Sequence, residues 1–111
     1  MADKQYSEIE VAELKRQLEG GNEILIIDVC NGDEFSGEKG HIPGARNVPF
    51  ADMPVALEPI ADAMDKPIAV NCGSTGRSER AADLITEAGF RHVFVIQGGL
   101  AAWREAGFEV A

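Results

Sequence analysis

Three stretches of this chain are apolar almost without a break: Ile24-Leu25-Ile26-Ile27 leading into Asp28-Val29, Pro67-Ile68-Ala69-Val70 leading into Asn71, and Val93-Phe94-Val95-Ile96. Continuous aliphatic runs rich in β-branched residues predict strands buried on both faces, which is the habit of parallel sheets. Between the strands the pattern changes period. Val11, Leu14 and Leu18 fall at helical spacing, and Gly20-Gly21-Asn22 stops that helix. Ala81, Ala82, Leu84, Ile85 and Ala88 form the apolar face of a helix over 77–88, ended by Gly89. Gly98-Gly99 turns the chain into another helix, from Leu100 to Ala106. A short strand is expected at Arg46 to Val48, and a helix from Met53 to Met64, interrupted at Pro59. The stretch from Asn31 to Gly44, rich in glycine and charge, reads as a long loop with one helical turn at most. Strands alternating with helices predict an α/β fold: a central, mostly parallel sheet with helices on both faces.

Composition narrows the function. A length of 111 residues suits one domain over 1–111. Ten basic residues against nineteen acidic ones leave a net charge of −9, which repels phosphate backbones and anionic lipid and argues against nucleic acid or membrane as a partner. The N-terminus lacks the apolar stretch of a signal peptide and no apolar run reaches membrane length, so cytoplasmic residence is the expectation. The two cysteines, Cys30 and Cys72, form no CxxC or Cys/His cluster. Neither a metal nor a cofactor is expected, and thiols in a reducing compartment stay reduced unless their own chemistry is redox or transfer.

Asn71-Cys72-Gly73-Ser74-Thr75-Gly76-Arg77-Ser78 is the segment that carries chemistry. A strand, a short glycine-containing loop and a helix N-terminus aim successive backbone N–H groups at one point. Such a nest binds anions and stabilises a thiolate. Arg77 adds a permanent positive charge for an anionic substrate or for the thiolate. A cysteine taken alone is more often an inert buried thiol. The strand-end position, the two glycines and the arginine favour the reactive reading for Cys72, because ligands of open α/β sheets sit at the carboxyl ends of the strands.

From about Tyr6 to Val110 the chain resembles the rhodanese-like sulfurtransferase domains. The resemblance rests on Ile26-Ile27-Asp28-Val29, Gly40-His41-Ile42-Pro43-Gly44-Ala45, Lys66 through Cys72, Arg77-Ser78-Glu79-Arg80-Ala81-Ala82, Glu87-Ala88-Gly89-Phe90 and Gln97 through Trp103. It implies that Cys72 takes a sulfane sulfur from thiosulfate or a similar small anionic donor, releases sulfite, and holds the sulfur as a persulfide. A thiophilic acceptor, cyanide or a thiol, then removes it. The amides of Gly73, Ser74, Thr75, Gly76 and Arg77 would form the substrate cradle. An alternative is a persulfide carrier, loaded by a partner protein of a sulfur relay rather than by free thiosulfate. The C-x4-R loop goes with sulfur transfer in this family. The related cell-cycle phosphatases and arsenate reductases use C-x5-R, and Ser78 stands where their arginine would fall.

Two positions depart from the family pattern. Many relatives carry glycine at the fourth loop position, where this chain has Thr75 followed by Gly76; a β-branched residue would be strained there at positive φ. Cys30 stands where relatives usually carry arginine after Asp-Val. Two readings of it are open: a small space-filling side chain, or a second thiol that takes sulfur from Cys72 or forms a disulfide with it. His41 and Asp28 read as structural, Asp28 by ordering loops through hydrogen bonds. Trp103 reads as core, and Gly98-Gly99 as a tight turn. Arg46 and Arg80 are open between lending positive potential to the site and being merely solvated.

Overall fold

The computed structural model describes residues 6–30, 35–37, 40–53, 55–71 and 75–111. Five strands, β1 (Ser7–Ile9), β2 (Leu25–Asp28), β3 (Arg46–Asn47), β4 (Ile68–Asn71) and β5 (Val93–Ile96), form one sheet in the order β1-β5-β4-β2-β3. Every pairing is parallel. The three expected aliphatic runs are β2, β4 and β5, the interior of the sheet. The α-helices described from end to end are α1 (Val11–Glu19), α2 (Thr75–Glu87) and α3 (Gly99–Glu105). They make the fold α/β.

Side-chain alternation divides the core between the two faces of the sheet. Ile27, Val29, Ile68, Val70, Val93 and Val95 join Ala81, Ala82 and Ile85 of α2 on one face. Ile26, Ala69 and Ile96 join Leu14 of α1 and Trp103 of α3 on the other. This double burial is why the strands read as continuous apolar runs. Trp103 is core, as expected. Its indole Nε1 donates to the Glu109 carbonyl at 2.7 Å, and its ring meets Phe108 edge-on.

Several boundaries differ from the sequence pattern. β1 was not legible: three residues, two of them exposed, leave no periodicity to read. A 3-10 turn at Phe50–Asp52 precedes the segment expected as a helix over 53–64, and that segment is itself a 3-10 stretch, Val55–Ala63. The break in the second falls at Ile60 (φ −113°, ψ 15°), immediately after Pro59. Proline has no N–H to donate to an i−4 or an i−3 carbonyl, so a regular α-helix is interrupted there. α2 starts two residues before the expected position, with Thr75 as its first residue. Among the described residues only glycines adopt positive φ. Gly98 is one (φ 73°), and a Cβ there would meet the Ala102 Cβ at 2.6 Å, so the turn into α3 requires glycine. Residues 31–34 and 38–39, within the expected long loop, lie outside the described residues.

Candidate functional site

β4 is the middle strand, and it ends at Asn71; α2 begins at Thr75. Cys72, Gly73 and Ser74, named above as nucleophile and cradle, lie outside the described residues, as do the side chains of Thr75 and Gly76. The last residue of the central strand and the first turn of a 13-residue helix flank the three-residue link, so the positive end of the helix dipole faces the carboxyl edge of the sheet. Arg77 is half-buried in the first turn of that helix.

The carboxyl ends of β2, β3 and β4 are tied by a buried polar cluster. Parallel pairing sets Asp28 opposite both Asn71 and Asn47. Asp28, 2% exposed, accepts the Cys30 amide on Oδ1 at 2.9 Å and Asn71 Nδ2 on Oδ2 at 3.2 Å. Asn47 Nδ2 donates to two carbonyls, of Asp28 at 3.0 Å and Cys30 at 2.8 Å. Backbone bonds extend the ladder past the strand ends, from Val29 N–H to the Asn71 carbonyl at 2.9 Å and from Phe50 N–H to the Val29 carbonyl at 3.0 Å. A buried carboxylate is tolerated only when donors surround it, and here they belong to the segments that lead into Cys30 and Cys72. Asp28 thus orders loops, as the sequence suggested. Asn47 and Asn71 were not singled out from sequence. Their one signal is that each interrupts a β-pattern at the end of a strand.

Asn71 Oδ1 is buried and accepts no hydrogen bond from the described residues. A buried amide oxygen without a donor is costly, and it lies on the residue next to Cys72 in the chain. Cys30 is 6% exposed and packs into the α2-side core. His41 is structural: its Nδ1 lies 3.0 Å from the Phe35 carbonyl, which can only accept, so this nitrogen carries the proton. Its ring stacks on Phe35 at 3.8 Å, and its backbone exchanges two hydrogen bonds with Ala111. Arg46 lines a pocket of about 510 Å³ with Glu23, Leu25, Asp62 and Lys66, residues at or near the edge where β2 and β4 begin. Arg80 is exposed on α2. At the far edge of the sheet the Tyr6 phenol is held above its usual pKa of 10.0, first by burial and then by the charges of Glu79, Asp83 and Glu8. Among the described residues no three or more metal-ligating side chains converge, and no helix is long and apolar enough to cross a membrane.

A family model for the rhodanese-like domain matches residues 10–106. The chain belongs to this family. Relatives include the thiosulfate sulfurtransferase GlpE of Shewanella oneidensis, 34% identical over 90 residues that cover 81% of this chain and 85% of the relative. The putative sulfurtransferase YtwF of Bacillus subtilis is 33% identical over 99 residues, covering 89% of this chain and 91% of the relative. The uncharacterised protein YqhL of B. subtilis is 34% identical over 84 residues, covering 76% of this chain and only 64% of the relative. Among solved structures, the Alr3790 protein of Anabaena superposes with a TM-score of 0.82 at 29% identity, covering 93% of this chain and 90% of that one. A thiosulfate sulfurtransferase of Pseudomonas aeruginosa superposes with a TM-score of 0.83 at 26% identity; it matches 93% of this chain but only 19% of that one. Fold and family thus agree with a rhodanese-like sulfurtransferase.

Proposed function

We propose that this chain, as one rhodanese-like domain over 1–111, moves a sulfane sulfur from thiosulfate or a similar anionic donor to cyanide or a thiol through a persulfide on Cys72. The observation that carries the reading is the position of Cys72 in the chain, one residue past the end of the central strand and three before the dipole-bearing start of α2. That position favours a thiolate and an anionic donor. Cys72 attacks the outer sulfur of thiosulfate, sulfite leaves with the electron pair of the broken S–S bond, and the acceptor takes the outer sulfur in a second displacement. The amides from Gly73 to Arg77 hold the anion, and the Arg77 guanidinium attracts it to a chain that is otherwise strongly acidic. The similarity to GlpE of S. oneidensis supports thiosulfate as donor. Cytoplasmic residence suits a thiol that must be reduced to react.

Thiocyanate formation from thiosulfate and cyanide, together with a mass gain of about 32 Da on the protein, tests the reading. Both should vanish in Cys72→Ser. If the parent neither gains the sulfur nor forms thiocyanate, thiosulfate is not the donor. A second reading, a carrier loaded by a partner protein, is supported by similarity to the putative sulfur carrier protein YrkF of B. subtilis. That relative is 28% identical over 96 residues, and the match spans half its length. Loading by a cysteine desulfurase but not by thiosulfate would select the carrier.

A further inference from the structure

The pocket of about 510 Å³ includes Leu25, the first residue of β2, whereas the polar cluster around Asp28 lies at the other end of that strand. Its volume falls within the roughly 300–1,000 Å³ typical of small-molecule sites. β3 pairs with β2 only from Ile27 onward, so among the described residues no strand runs beside Leu25 on that side. Buried Ile60 and half-buried Leu25 give the pocket apolar surface. Glu23, Arg46, Asp62 and Lys66 give it charge. Lys66 and Glu23 are spent on each other, with Nζ 3.3 Å from Oε2. Arg46 and Asp62 line the same space yet form no ion pair with each other. Among the described residues neither has any other ion-pair or hydrogen-bond partner for its side chain.

We propose that this pocket binds a small zwitterion with an aliphatic body, of the class of apolar amino acids and their dipeptides. The ligand carboxylate takes the Arg46 guanidinium, whose planar fork suits two parallel N–H bonds to a carboxylate. The ligand ammonium takes the Asp62 carboxylate, and the aliphatic body covers Ile60 and Leu25. Other ligand classes meet an opposing charge. A plain anion such as sulfate gains Arg46 but is repelled by Asp62, on a chain whose net charge is −9. A plain amine gains Asp62 and is repelled by Arg46. A zwitterion satisfies both groups at once and leaves the Lys66–Glu23 pair undisturbed. Occupancy of this pocket requires nothing of Cys72, so it stands apart from the sulfur chemistry.

Titrating the 15N-labelled full chain with leucine and with leucyl-leucine, followed by backbone amide NMR, reads affinity and location together. At least one of the two should give saturable shifts at Glu23, Leu25, Arg46, Asp62 and Lys66, with a Kd of about 1 mM or lower. The tighter of the two identifies the size of the ligand. Acetylating its amino group, or converting its carboxylate to an amide, should each weaken binding about tenfold. Arg46→Ala and Asp62→Ala should do the same to the unblocked ligand. Both variants truncate exposed side chains, so their spectra away from the pocket should match that of the parent. Absence of saturable shifts with both compounds overturns the inference. So do shifts centred elsewhere, or affinity that survives both blocked ligands and both variants. Each of these results leaves the sulfurtransferase reading intact.

Discussion

Replacing Asp28 tests whether the buried cluster holds the strand ends together. Asp28→Ala leaves two buried donors, the Cys30 amide and Asn71 Nδ2, without the acceptors that now lie at 2.9 and 3.2 Å. Each orphaned donor costs about 1–3 kcal/mol, and release of a buried carboxylate offsets part of that, so the expected loss is about 2–4 kcal/mol. Against a total of roughly 5–15 kcal/mol for a domain of this size, the loss is large. Asp28→Asn should behave differently. Its oxygen can still accept the Cys30 amide, while its NH2 would face Asn71 Nδ2. Rotating the Asn71 amide by half a turn brings its Oδ1, which accepts nothing from the described residues, against that NH2 and leaves only the Asn71 NH2 without a partner among them, at a cost of about 1 kcal/mol. Urea unfolding followed by circular dichroism reads both variants. With a slope of about 1–3 kcal/mol per molar, Asp28→Ala should shift the midpoint by about 1–2 M and Asp28→Asn by well under 1 M. Equal losses in the two variants, or a cost below about 1 kcal/mol for Asp28→Ala, would refute the reasoning.

Three further outcomes follow from the packing. Because the Tyr6 pKa is raised in the folded chain, the unfolded chain releases that proton first; the stability tied to the neutral phenol is intact below about pH 10 and is lost as pH rises through the folded pKa. Tyr6→Phe should flatten the fall in stability above that pH, seen as thermal midpoints taken across an alkaline series; an unchanged slope counts against it. Gly40→Ala puts a Cβ 2.7 Å from the Ala111 carbonyl oxygen at a residue with φ of 72°. It should cost about 1–2 kcal/mol and speed hydrogen exchange at the His41 and Ala111 amides, which pair across this point. Trp103→Phe removes the 2.7 Å bond to the Glu109 carbonyl and part of a fully buried ring. It should lower stability by about 1–3 kcal/mol in a denaturant titration followed by circular dichroism.

The sheet interior was legible because β2, β4 and β5 are buried on both faces, so an unbroken apolar run is their only solution. β1 escaped notice because an edge strand of three residues needs no pattern beyond Ile9. The segment around Pro59 carried enough apolar residues to look helical, but side-chain periodicity over so short a stretch does not distinguish a 3-10 turn from an α-turn. Cys72 and Arg77 drew attention through local chemistry alone, a thiol expected after a strand and a cation expected near the start of a helix; the helix does begin at Thr75 with Arg77 in its first turn, while Cys72 lies outside the described residues. Arg46 was not assignable, since whether a charged strand residue serves a site depends on which end of the sheet its side chain reaches. The Asp28–Asn47–Asn71 cluster could not be read at all, because its members lie 19 and 43 residues apart in the chain and only strand register makes them neighbours.

By itself, then, the order of residues determined an acidic α/β domain with a cysteine next in the chain after a buried strand, because burial pattern and local turn chemistry are properties of short segments. Tertiary structure alone decided that β4 occupies the middle of the sheet and that Asp28 is tied to both flanking strands. It also set Asn47 and Asn71 on either side of Asp28 at the carboxyl ends of three neighbouring strands. Those facts depend on which strands pair and in what register, and pairing is settled by the whole core closing at once rather than by any one stretch of sequence.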